Sequence, residues 1–117
     1  MTRSLATPEF SRNYGFWSED EQRALVESCV AIAGVGGDGF QLGLKLARMG
    51  VARFRIADPE VFELENINRV EGATPSSCGR PKAEVFRGRV LDINPAAEIT
   101  TFLDGVTPGN IEDCMLG

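Results

Sequence analysis

The chain has 117 residues, 43% hydrophobic and 25% charged, enough to bury one modest core, so one domain or a piece of one is expected. Twelve Lys and Arg against seventeen Asp and Glu give a net charge of −5, which argues against a broad electrostatic grip on DNA or an acidic membrane; an anionic ligand must be held locally. There is no histidine, which removes histidine general bases, Ser-His-Asp triads and His-ligated metals from this stretch.

Nothing approaches the roughly eighteen apolar residues of a membrane helix, and Met1–Phe10 has no apolar signal core, so a soluble cytoplasmic protein is expected. Cys29, Cys78 and Cys114 form no Cys-x-x-Cys pair, so neither a disulfide framework nor a zinc site is indicated. Cys29 is expected as a small core residue.

Residues 1–28 read as a polar arm followed by a helix that Ser18 and Glu21 open as a capping box. Residues 29–117 read as the N-terminal portion of an α/β domain, a Rossmann-like parallel sheet with flanking helices. Its first strand, Cys29–Ala33, is wholly apolar and predicts a central parallel strand. It runs directly into Gly34-Val35-Gly36-Gly37-Asp38-Gly39, and an apolar helical stripe from Phe40 to Met49 follows. Ala52–Asp58 alternates small or apolar with basic residues, predicting a strand with one face partly open that Pro59 ends. Glu60–Gly79 lacks periodicity and reads as an ordered functional loop. Pro81 is placed to be a first helical residue, and that helix stops before Asn94-Pro95. Glu98–Leu103 predicts a third strand and Thr107-Pro108 the start of another helix. Three strands make the doubly wound domain incomplete, and a further strand is expected after Met115, beside the glycine turn.

A strand-to-helix turn carrying Gly34, Gly36, Gly37 and Gly39 lets backbone N–H groups and the helix dipole meet a phosphate. The competing reading is that these glycines only permit close helix–sheet packing. Asp58, nineteen residues past Gly39, is placed to hold ribose hydroxyls and fits NAD or ATP equally well. Asn66, Asn68, Arg69 and Lys82 follow the second strand, where two amides and two cations suit a triphosphate. They also read as turn residues and solvated surface charges.

Together these residues resemble the ubiquitin-activating-enzyme-like adenylyltransferases of the ThiF, MoeB and HesA type. The resemblance rests on Arg12-Asn13, Glu21-Gln22, Gly34–Gly39, Asp58, Glu65-Asn66-Ile67-Asn68-Arg69, Gly79 with Lys82, and Ile93-Asn94-Pro95, in the family's order and spacing. It implies ATP, with Mg2+, activating a carboxylate as an acyl-adenylate. The carboxylate is that of a ubiquitin-like or sulfur-carrier protein, a peptide or a nucleoside on RNA. By the same resemblance Gly34, Gly36 and Gly39 form the nucleotide turn, Asp58 holds the ribose, and Asn66, Arg69 and Lys82 surround the phosphates. Arg12 corresponds to an arginine given across a homodimer interface to the partner's ATP. A magnesium aspartate, zinc-binding Cys pairs and a catalytic cysteine are expected beyond Gly117. The chain departs from the pattern at Asp38, where a small apolar residue is usual, at Pro59-Glu60, where a second acidic residue is common close behind Asp58, and at Val70, which replaces a glutamine. An NAD(P)-dependent oxidoreductase domain and a non-catalytic pseudo-subunit of the same family are the alternatives.

Overall fold

The computed structural model describes residue 13 and residues 15–116. In chain order it contains α1 (Glu19–Glu27), β1 (Cys29–Ala33), α2 (Gly37–Met49), β2 (Arg53–Ala57), a 3-10 turn (Leu64–Asn66), α3 (Lys82–Ile93), β3 (Glu98–Phe102) and α4 (Ile111–Met115). The capping box at α1 is present. Ser18 Oγ accepts from the Glu21 N–H, and the Glu21 carboxylate accepts from the Ser18 N–H. That backbone bond, helped by the Ser18 hydroxyl, holds the Glu21 carboxyl below the usual carboxylate range.

The strands form one parallel sheet in the order β1-β2-β3. Parallel neighbours need crossovers, which α2 and α3 supply. Register puts Val30, Phe54 and Ile99 on one face, with Ile32, Ile56 and Thr101 one step further along it. The two helices cover this face. Phe86 of α3 packs edge-on against Phe54 of β2 at 5.7 Å and against Phe40 of α2 at 5.4 Å. Gly43 of α2 leaves room for these rings, because a Cβ there would lie 2.4 Å from Phe86 and 3.0 Å from Ile32.

The opposite face carries Cys29, Ala31 and Ala33 in register with Arg53, Arg55 and Ala57, and its only described helix is α4, which packs on β2. The Arg55 guanidinium donates to the Leu116 carbonyl just past α4. With α2 and α3 on one face and α4 on the other, the chain changes sides after β3, as an open doubly wound sheet requires.

Several expectations are corrected. Cys29 is exposed, because strand alternation turns it with Ala31 and Ala33 away from α2 and α3. Pro81 stands outside α3 as its N-cap. The last helix starts at Ile111 rather than Thr107, because Thr107 and Asn110 tie a turn first: Asn110 Oδ1 accepts from the Thr107 N–H and Thr107 Oγ1 from the Asn110 N–H. Among the described residues no helix is long and apolar enough to cross a membrane.

Candidate functional site

The glycines at the end of β1 hold three different physical positions. Gly34 has φ +96°, a left-handed conformation that disfavours any Cβ, and its N–H donates to the Ala57 carbonyl. Gly39 packs α2 onto the turn so closely that a Cβ would sit 2.0 Å from the Gly34 carbonyl oxygen. Gly36, the N-cap of α2, has nothing within 4 Å of where its Cβ would be. The first glycine shapes the turn, the last lets the helix approach it, and the middle one leaves its backbone open at a helix N-terminus, where N–H groups and the dipole favour an anion. Asp38 lies in that first turn, so its carboxylate occupies part of the same favourable field.

Asp58 directly follows the last residue of β2. It is only 4% exposed, and its two oxygens accept backbone N–H groups: Oδ2 from Val35 at 2.9 Å and Oδ1 from Glu60 at 2.8 Å. One carboxylate thus ties the glycine turn to the loop that leaves β2. A carboxylate has about four lone-pair positions, so two acceptor positions remain for a sugar hydroxyl. Glu60 continues the connection, because its Oε1 lies 3.2 Å from Lys82 Nζ. The Lys82 side chain is 9% exposed and its ammonium sits 5.8 Å from the Phe62 ring centroid, so the reading of a freely solvated cation does not hold. Val35, Asp58, Glu60 and Lys82 form one chain of contacts from β1 to the start of α3.

The loop brings in the remaining candidates from another side. The Gly37 Cβ position is 3.9 Å from the Arg69 carbonyl oxygen, so the loop backbone lies against the first turn of α2. Asn66 is buried, and its Oδ1 accepts from the Glu63 N–H, closing the 3-10 turn. Asn68 Oδ1 accepts from Arg69 Nη1, which also donates to the Glu65 carbonyl. These contacts pre-shape Arg69 while leaving it exposed. Glu63 shares a hydrogen bond and like charge with Glu65, which push its carboxyl above the usual range. Asn66 is therefore a loop-forming residue in this state, and Asn68 orients Arg69.

Arg12 lies outside the described residues. Its neighbour Asn13 enters a polar hub whose role sequence reasoning missed. Gln22, fully buried, donates from Nε2 to the Met49 carbonyl at 3.0 Å and accepts on Oε1 from Asn13 Nδ2 at 2.9 Å and Trp17 Nε1 at 2.8 Å. The signal available in the sequence was an amide four residues before Val26 on the buried stripe of α1. Among the described residues no group of three or more Cys, Asp or Glu could hold a metal ion. Asp58 has no cluster of further carboxylates around it, so the described residues alone do not complete a magnesium site.

A model of the ThiF family matches residues 10–116. The tRNA threonylcarbamoyladenosine dehydratase of Bacillus subtilis is 37% identical over 91 residues, 78% of this chain and 36% of that protein. The sulfur carrier protein ThiS adenylyltransferase of Escherichia coli is 32% identical over 96 residues, 82% of this chain and 38% of that protein. The E. coli tRNA N6-threonylcarbamoyladenosine dehydratase, solved in complex with ATP, superposes with a TM-score of 0.90 at 27% identity, over 100% of this chain and 49% of that one. The match supports a Rossmann-like fold, and the chain spans from about a third to half the length of these relatives.

Proposed function

This chain belongs to the ThiF family, and from that premise we propose that it supplies the ATP-binding part of an adenylyltransferase that converts a carboxylate into an acyl-adenylate. The observation that supports the reading is the contact chain Val35–Asp58–Glu60–Lys82, which with the approach of the Arg69 carbonyl to Gly37 joins the open start of α2, an acidic residue, a nearly buried lysine and the loop that bears Arg69. A dinucleotide site would use the glycines and Asp58 and leave Arg69 and Lys82 without a task.

In the proposed reaction the triphosphate lies over the open backbone at Gly36 and Gly37, with Asp58 accepting from the ribose. A carboxylate oxygen of the acyl substrate attacks the α-phosphorus, the bond from that phosphorus to the bridging oxygen breaks, and pyrophosphate leaves. Arg69 offers a planar fork and Lys82 a compact charge to the phosphate oxygens as the charge shifts towards pyrophosphate. Magnesium would come bound to the triphosphate and would screen its charge alongside Arg69 and Lys82. The acyl substrate is the C-terminus of a ubiquitin-like or sulfur-carrier protein or a related carboxylate, and Arg12 is given to the site by the second chain of a homodimer.

Separate titrations of ATP and NAD, followed by ATP–pyrophosphate exchange with candidate carboxylates, test the reading. Saturable ATP binding with no NAD binding, and exchange that requires a carboxylate, are expected. Tighter binding of NAD than of ATP would replace this reading with the oxidoreductase one.

A further inference from the structure

A cleft of about 320 Å³ lies between the loop and α3, with Thr74, Ser76, Arg80, Gly88, Arg89 and Asp92 in its wall. Neither the glycine turn nor Asp58, Asn66, Arg69 or Lys82 lines it, so the nucleotide reading leaves it unused.

Gly88 stands in the interior of α3, where glycine is the poorest helix former after proline. Gly43, in the interior of α2, has a packing reason, because Phe86 and Ile32 fill the space beside it. Gly88 has none: a Cβ there would meet nothing within 4 Å. What a side chain at Gly88 would enter is the cleft, and its absence leaves the backbone of α3 open to whatever lies there.

Donors reach the cleft from three places. Arg80, just ahead of α3, is exposed and forms no ion pair with a described residue. Arg89, beside Gly88, is 3.6 Å from the Glu71 carboxylate, too far for a hydrogen bond, and its guanidinium sits 6.0 Å from the Phe40 ring centroid. In the loop, Ser77 Oγ accepts from the Thr74 N–H and donates to the Gly72 carbonyl, which fixes the backbone that carries Thr74 and Ser76. Those two hydroxyls are 3.0 Å apart and either can be the donor, so the Ser76 proton is left for a ligand whenever Thr74 donates. Against these donors the wall sets one carboxylate, Asp92. Cationic forks and a hydroxyl arriving from different elements suit a tetrahedral oxyanion with three terminal oxygens better than a planar carboxylate with two.

We propose that this cleft is a second ligand site, separate from the glycine turn, that binds a phosphate group. Arg80 and Arg89 hold its oxygens, Ser76 donates to it, and Gly88 lets it approach the helix. The group is either the free ion or the monoester of a small hydroxylated molecule whose hydroxyls reach Asp92.

The test follows backbone amides by NMR while inorganic phosphate, ribose 5-phosphate or acetate is added at constant ionic strength. Saturable shifts at Ser76, Gly88 and Arg89 are expected with the phosphates and not with acetate. Arg80→Ala and Arg89→Ala should each weaken binding by about tenfold, the loss of a hydrogen bond between charged groups. Gly88→Leu keeps both cations but fills the cleft, so it should abolish the shifts while its thermal midpoint holds or rises, because leucine favours a helix more than glycine does. Tighter binding of ribose 5-phosphate than of phosphate, with the advantage lost in Asp92→Ala, identifies the monoester; equal binding identifies the free ion. The shifts should persist in Arg69→Ala, so a failure of the ATP reading leaves this site standing. Shifts confined to the amides of Gly36 and Gly37, equal shifts with acetate, or unchanged phosphate binding in a folded Gly88→Leu protein would overturn the proposal.

Discussion

Lys82 Nζ lies 3.2 Å from Glu60 Oε1, yet the lysine side chain is nearly buried while that of the glutamate is 70% exposed. The asymmetry makes Lys82 the more enclosed partner and Glu60 the more solvated one, so a phosphate bound as proposed would compete with Glu60 for a cation already in place. Lys82→Ala should weaken ATP binding by about tenfold or more, the loss of a hydrogen bond to a charged group. Glu60→Gln should strengthen it, by no more than about fivefold because exposed pairs contribute little, and more at low than at high salt. Calorimetric titration at two salt concentrations measures both, and weaker binding by Glu60→Gln would contradict the competition.

The glycine turn separates stability from binding. Gly36→Ala meets open space, so its unfolding midpoint should fall less than that of Gly39→Ala while ATP affinity collapses. Gly39→Ala forces a Cβ onto the Gly34 carbonyl and should destabilise by about 1–3 kcal/mol, as overpacking does. Urea unfolding and ATP titration on the pair check this, and equal behaviour of the two variants would show that the glycines serve packing alone.

Asp58 joins the two effects. Its oxygens hold the Val35 and Glu60 N–H groups, so Asp58→Asn turns an amide donor towards one of them. A stability loss of about 1–3 kcal/mol is expected together with weaker ATP binding. A variant of unchanged urea midpoint would argue against the turn-tying role, and unchanged ATP affinity against the ribose role.

Two glutamates shape the acid limb in opposite directions. Glu21 is lowered by accepting the Ser18 N–H, so the stability it adds is present above the ordinary glutamate value of about 4.3 and is lost as pH falls through its lower folded value. Glu63 is raised by Glu65, so its favourable contribution is present below that ordinary value and is lost as pH rises through the raised one. Melting temperature between about pH 3 and 7 should keep a shallower acid slope in Glu21→Gln and lose the opposing slope in Glu63→Gln.

The parallel sheet and its crossovers were legible because β1, β2 and α2 carry their periodicity and stop signals locally: an apolar run before Gly34, a basic–apolar alternation before Pro59, and a stripe ended by Gly50. The turn itself was legible for the same reason. Local sequence does not show who occupies a carboxylate or an amide. Asp58 was legible as the end of a strand, yet nothing local shows that Val35, twenty-three residues earlier, takes one of its oxygens. Glu60 stood out only as a departure, and its pairing with Lys82 depends on how a twenty-two-residue loop closes. Cys29 misled because an apolar strand residue says nothing about which face of the sheet is covered.

Phe62, Phe40, Phe86 and Phe54 meet edge to face in sequence, with centroids 6.0, 5.4 and 5.7 Å apart. They run without a break from the loop, through both crossover helices, to the central strand. Gly72 presses the loop further onto Phe40 and Phe62, leaving no room for a Cβ. The segment bearing Asn66 and Arg69 is thus stapled to the same aromatic stack as the helix that starts at the glycine turn. The loop is thereby packed in place without a ligand. If the proposed function holds, nucleotide capture should carry little ordering entropy, and trimming one ring, as in Phe62→Leu, should convert part of the affinity into the cost of bringing the loop back.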